Sequence, residues 1–88
     1  MLTAVTYNCD PDSLADVAPA DFADAFENEV RVRPIYRDVA VTVTFEPGPS
    51  GVATFASDDP DADLDRDDEY RAEFDRFAER AFAACLAA

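Results

Sequence analysis

One short segment of the chain is rich in arginine and includes a tyrosine, and its side chains could bind a ligand. Three of the seven basic residues are Arg31, Arg33 and Arg37, and Tyr36 precedes the last of them. On a β-strand these arginines would share one face, where guanidinium groups bind anions and the tyrosine ring offers a stacking surface. The alternative is that they offset the surrounding carboxylates. The segment therefore predicts either a small-molecule or anion site or a charge-balancing surface.

Aspartates alternate along a second segment, which resembles a calcium-binding loop in spacing alone. The candidate ligands are Asp59, Asp61, Asp63 and Asp65. An EF-hand places oxygen ligands at every second position but also needs Gly at the sixth position and Glu at the twelfth. Counted from Asp59, those positions hold Leu64 and Tyr70. We therefore expect no metal site here, but a solvated acidic linker that places negative charge at the start of a helix.

Missing residue types exclude most enzyme mechanisms. The chain has no His and no Lys, which excludes His-activated nucleophiles, His-ligated metals, Schiff bases and the lysine of phosphate-binding loops. Two cysteines, Cys9 and Cys85, are too few for a four-cysteine zinc site, and we expect both to be free. Cys9 precedes a predicted helix start, so a reactive thiol is one alternative. No carboxylate pair is marked out for acid–base catalysis, so we predict a non-enzymatic protein without a cofactor.

The charge balance predicts the environment of the protein. Twenty acidic residues face seven arginines, which gives a net charge of −13. This composition is typical of proteins from cells that keep molar salt in the cytoplasm, where a Debye length of about 3 Å screens self-repulsion. The alternative is an ordinary acidic protein from a GC-rich genome. The charge opposes nucleic-acid binding, and neither a span of ~20 apolar residues nor a signal peptide is evident. We expect a cytoplasmic protein that binds neither nucleic acid nor membrane.

A central β-hairpin at about residues 38–57 is the element expected to position both segments. Apolar and polar side chains alternate over 38–45, which predicts a strand with one buried face. The following turn, at 46–51, carries two prolines and two glycines, and the shorter run 52–56 then returns. Residues 2–7 alternate in the same way and predict a first strand. The segment 29–38 is predicted to be an edge strand or a strand with a bulge, because Pro34 cannot donate to a ladder.

Helical spacing completes the prediction of an α+β fold. Asp10 and Pro11 indicate the start of a short helix, and Pro19 that of a second. The apolar stripe of the second helix is Phe22, Phe26 and Val30, and that of a long C-terminal helix is Tyr70, Phe74, Phe77, Ala81 and Cys85. The order β-α-β-β-α predicts a small, mostly antiparallel sheet covered on one face by helices. A right-handed crossover would make the first two strands parallel.

The size of the chain predicts association. Its 88 residues predict one domain spanning residues 1–88, and 17 of the apolar residues are Ala, so the core is small. A C-terminal helix of ~30 Å exceeds the length of strands of six or seven residues, which leaves apolar surface for a partner. We therefore predict a protein-association module that forms a homodimer through this helix or an exposed strand edge. The alternative function is anion or small-molecule binding by the arginine segment.

Overall fold

The computed structural model describes residues 2–48, 51–59, 61 and 65–87 and shows an α+β fold. The elements are β1 (Leu2–Asn8), α1 (Pro19–Arg31), β2 (Ala40–Thr44), β3 (Val52–Ser57) and α2 (Asp67–Ala87). Short 3₁₀ helices lie at Pro11–Leu14 and Pro34–Tyr36. The predicted fold class and the order β-α-β-β-α are confirmed.

The three strands form one mixed sheet in the order β2-β1-β3. β1 runs parallel to β2, as the crossover through α1 predicts, and antiparallel to β3. The predicted β-hairpin at 38–57 is therefore wrong, because β1 lies between the two strands that were expected to pair. The chain does reverse direction between them, but β2 and β3 are separated by about 10 Å, twice the spacing of paired strands.

Asn8 explains how the connection between β2 and β3 crosses the end of β1. Its side-chain amide donates to the Glu46 carbonyl at 3.2 Å, and its Oδ1 accepts from Thr44 Oγ1 at 2.8 Å and from the Glu46 amide at 3.0 Å. Beyond the crossing, the Gly51 amide donates to the Asn8 carbonyl at 3.0 Å. A connection with two prolines cannot extend a ladder of hydrogen bonds, so it is fastened to β1 instead. Pro49 and Ser50 of this turn lie outside the described residues.

The predicted edge strand at 29–38 is also wrong. Helix α1 continues to Arg31, because Val30 completes the apolar stripe and is fully buried. Pro34 then opens a 3₁₀ turn, where a residue with a fixed φ and no amide hydrogen is tolerated. The short alternation of Val30 and Val32 with arginines is thus the end of a helix and the start of a loop, and Val32 is 72% exposed.

Helices α1 and α2 cover one face of the sheet and enclose the core. Phe26 and Phe74 are fully buried, and their ring centroids lie 6.2 Å apart. Tyr7 of β1 packs on Phe26 at 4.9 Å, and Phe55 of β3 packs on Phe74 at 5.5 Å. The predicted stripes therefore meet through aromatic rings, whose bulk compensates for the many alanines.

Candidate functional site

The sheet face away from the helices is exposed and consists of small, uncharged side chains. In β1 the inward residues Val5 and Tyr7 are buried, whereas Thr6 between them is exposed. The strand register places the outward residues in three rows, which together we call the open face: Ala40–Ala4–Ala56, Thr42–Thr6–Thr54 and Thr44–Asn8–Val52. Val52 is 49% exposed and is the largest apolar side chain of this surface.

No residue of β1, β2 or β3 carries a charge, although the whole chain has a net charge of −13. The nearest acids along the chain lie just beyond strand ends, at Asp10, Asp38, Glu46 and Asp58. A solvated sheet face needs no apolar side chains and usually carries charged ones. The open face is therefore a neutral surface bordered by carboxylates.

The strands at both outer edges of the sheet share this lack of charged residues, although Arg71 of α2 donates to the Ala53 carbonyl of β3 at 3.0 Å. Within the described residues, β2 and β3 each pair only with β1, so each has one edge without a ladder. Natural proteins guard such edges with charged residues, prolines or bulges, and neither strand contains a charged residue or a proline. The flanking residues Asp38, Glu46 and Pro47 protect the ends of the β2 edge but leave its middle accessible.

The structure uses two of the three predicted anion-binding arginines for internal contacts. Arg31 donates to the carbonyls of Tyr36 at 2.9 Å and Val39 at 2.6 Å, which ties the end of α1 to the approach of β2. Arg33 pairs with Glu73 of α2 at 3.1 Å. Because the segment is not a strand, the three arginines do not share a strand face, and that part of the prediction is wrong. Arg37 lies exposed on the turn after the 3₁₀ helix.

Tyr36 is part of the core and not an exposed stacking surface. Only 2% of it is exposed, and its ring packs on Phe74 at 5.2 Å. Its hydroxyl donates to Glu73, the same carboxylate that pairs with Arg33. Burial and this hydrogen bond raise the pKa of Tyr36 above its ordinary value. Glu73 was not singled out from the sequence, where its position on the border of the apolar stripe of α2 was the only available signal.

The acidic segment shows no ion site in its described part. Asp59, Asp61 and Asp65 are exposed, whereas Asp63 lies outside the described residues. Within the described ranges, no group of three or more acids or cysteines is arranged to hold a metal ion. Asp67 pairs with Arg71 at 2.6 Å at the start of α2.

Neither cysteine is in a disulfide, and no acidic residue is buried, among the described residues. Both cysteines are free; Cys9 is buried, with its Sγ 3.6 Å from Ser13 Oγ, and Cys85 packs against the edge of the core. A thiol that reacts with a substrate needs access to it, and Cys9 is only 6% exposed. No acidic residue of the described chain is buried, so no carboxylate pair is set in the contrasting environments of an acid and a base.

The long helix α2 buries most of its stripe inside the subunit. Tyr70, Phe74, Phe77 and Ala81 are all buried against α1 and the sheet. Exposure resumes at Ala83, and Leu86 near the end of the helix is 60% exposed. The expected surplus of apolar helix surface is therefore limited to its last turn, which leaves the sheet as the larger uncharged surface.

Comparison of this chain with protein-family models, with curated proteins and with solved structures found no match. Among the described residues, no helix is both long enough and apolar enough to cross a membrane.

Proposed function

We propose that this chain is a non-enzymatic protein-association module that forms a homodimer through the open face. The observation that carries the proposal is the absence of charge from all three strands of a chain with a net charge of −13. Two such chains repel each other wherever their helices or connections approach. Contact through the sheets keeps the carboxylates of the two subunits at the border of the interface, exposed to solvent. There, salt screens the repulsion between carboxylates that are farther apart than the Debye length, about 8 Å at 0.15 M.

A second copy suits the open face because its side chains are small and its rows repeat. The central row is Thr42–Thr6–Thr54, which presents methyl groups and hydroxyls without a protruding side chain. A two-fold axis brings the same patch of both subunits together, so a row of this kind meets side chains of its own size and polarity. Threonine hydroxyls act as both donors and acceptors, and can therefore satisfy one another across such an interface.

The area of the open face predicts a weak dimer. With strands about 4.8 Å apart and about 3.3 Å per residue, the three rows cover roughly 300 Å². Stable complexes bury about 800 Å² on each partner. We therefore expect a dissociation constant of about 0.1 mM, equivalent to about 5.5 kcal/mol.

High salt strengthens this association for two reasons. The Debye length falls from about 10 Å at 0.1 M to about 3 Å at 1 M, so the repulsion between subunits fades. Salts that are excluded from protein surfaces also favour burial of apolar groups. The acidic, lysine-free composition supports the cytoplasm of a salt-accumulating cell as the place where the module works.

Sedimentation equilibrium of Thr6→Glu beside Ala72→Glu tests the proposal. Thr6 is the centre of the open face, whereas Ala72 is exposed on α2, on the other side of the sheet. Both variants add one negative charge to each subunit. In about 2 M KCl, we expect dimer from the parent chain and from Ala72→Glu. Association of Thr6→Glu should be at least tenfold weaker, because the dimer would bury two carboxylates without partners, and their desolvation is costly even where salt screens their repulsion.

Thermal unfolding of each variant first shows that it is folded. A parent chain that stays monomeric at about five times the expected dissociation constant contradicts the proposal. Equal weakening by the two variants also contradicts it, since the effect then follows net charge and not the open face.

A further inference from the structure

A cavity of about 400 Å³ lies on the helix side of the sheet, away from the open face. It is bounded by the end of β1, the first 3₁₀ helix and the middle of α2. Helix α2 contributes Asp75, Ala78, Glu79 and Phe82, which lie on one face at the spacing i, i+3, i+4 and i+7. The volume falls within the range of about 300 to 1,000 Å³ that is usual for small-molecule sites.

Aromatic rings supply part of the cavity wall. Tyr7, Phe22 and Phe82 line it, and their ring faces carry the negative potential that attracts cations. The Tyr7 hydroxyl donates to Asp75 Oδ1 across a distance of 3.4 Å, and burial together with the Asp75 charge raises the pKa of Tyr7. The tyrosine therefore stays protonated and holds Asp75 at the cavity wall.

Gly51 keeps the opposite wall close to this hydrogen bond. Its φ is +80°, and a Cβ atom there would lie 3.3 Å from the Tyr7 hydroxyl and 3.5 Å from Asp75 Oδ1. A side chain at this position would be strained by the positive φ and would narrow the cavity at its polar end. The glycine thus leaves space beside the carboxylate.

The charge of the cavity is negative and is not compensated. Asp75 and Glu79 lie one turn apart on α2, and no arginine lines the cavity. Within the described chain neither carboxylate takes part in an ion pair, whereas Glu27, Asp67, Glu69 and Glu73 each pair with an arginine. Two like charges at this spacing destabilise a helix, and a bound cation would relieve that repulsion.

We propose that this cavity binds a small organic cation, an ammonium group with apolar substituents. The rings of Tyr7, Phe22 and Phe82 contact the substituents, and Asp75 and Glu79 balance the charge. A hydrated metal ion cannot make the apolar contacts, and an anion would face two carboxylates. The site does not depend on the open face, because it lies on the other side of the sheet and within one subunit.

Nuclear magnetic resonance titration with choline and with 3,3-dimethyl-1-butanol, its neutral carbon isostere, tests the proposal. The two probes have the same shape and differ in charge. We expect choline to saturate with a dissociation constant of about 1 mM, about 4 kcal/mol, and to shift the amide signals of Gly51 and Ala78. The neutral isostere should bind at least about 2-fold more weakly, which is the effect of one exposed charge contact.

Charge-removing variants localise the effect. Asp75→Asn keeps an oxygen that accepts the Tyr7 hydrogen bond, and Glu79→Gln keeps the shape of that side chain. We expect each to weaken choline binding by a factor of about 2 to 5. Asp24→Asn is the matched control, because Asp24 is exposed on α1 and does not line the cavity.

Three results would overturn the proposal. They are equal affinity for the two probes, a loss of choline affinity in Asp24→Asn as large as in Asp75→Asn, and choline-induced shifts that leave Gly51 and Ala78 unmoved. A dimerisation defect in Thr6→Glu with unchanged choline binding would leave the cavity proposal standing.

Discussion

Replacing Asn8 with Ala tests why β1 is the central strand. The change removes three side-chain hydrogen bonds, one from the amide to the Glu46 carbonyl and two accepted by Oδ1 from Thr44 and Glu46. Each net hydrogen bond contributes about 0.5 to 1.5 kcal/mol, and the exposure of Glu46 lets water replace part of the loss. We therefore expect the free energy of unfolding to fall by about 2 kcal/mol.

A loss of this size is easily measured. For a domain of this length it lowers the melting temperature by about 8 to 16 °C. Urea unfolding followed by circular dichroism in about 2 M KCl gives the same quantity, provided the slope with denaturant stays constant. Asn8→Asp retains both acceptor bonds and loses only one of the three, so we expect it to lose about a third as much stability.

Asn28→Ala is the control for this prediction, because Asn28 is exposed on α1 and no contact of its side chain is seen. That change raises helix propensity and should be neutral or slightly stabilising. A cost below about 0.5 kcal/mol for Asn8→Ala would refute the reasoning, since the crossing would then be held by backbone contacts alone.

Three further predictions follow from the charges and buried tyrosines. Burial and acidic neighbours raise the pKa of Tyr7 and Tyr36. Above about pH 10 the native state therefore keeps protons that the unfolded chain loses. The free energy of unfolding, measured by urea titration, should fall there by up to about 1.4 kcal/mol per pH unit for each tyrosine. Tyr36→Phe should remove its share of that slope. Arg31→Met should lower the free energy of unfolding by about 2 kcal/mol in the same assay, because two carbonyls lose a charged donor. Arg37→Ala, the control, should change it by less than about 0.5 kcal/mol. Equal costs for the two variants would contradict the contacts described. The melting temperature should rise between about 0.1 and 2 M KCl as repulsion is screened, and a constant value would remove the case for salt adaptation.

Local patterns predicted most elements but not which strands are neighbours. The stripe of Phe22, Phe26 and Val30 and the cap at Asp10 depend on residues within two turns, and both are found as expected. The alternation of β2 and β3 and the turn between them specify strands and a reversal of direction. They do not specify that β1 takes the hydrogen bonds on both sides, which depends on Asn8 and on the packing of Tyr7 below the sheet.

For the functional surfaces, too, the sequence indicates local features but not which residues lie together in the fold. The open face was not predicted, because the sequence shows uncharged outward residues in 2–7, 40–44 and 52–56 but not that these strands are neighbours. The arginine segment was misplaced because Val30 and Val32 fit both a strand and the end of a helix, and only the burial of Val30 distinguishes them. The partnership of Glu73 with Tyr36 has no local signal, because it joins residues far apart in the chain.

The most direct test of the homodimer is an isotope-filtered nuclear Overhauser experiment on a mixture of labelled and unlabelled chains. The sample is in about 2 M KCl, at a protein concentration above the expected dissociation constant of about 0.1 mM. We predict contacts between subunits from the methyl groups of Thr6, Thr42 and Thr54. Contacts confined to the end of α2 around Leu86, or no contacts at all, would contradict association through the sheet.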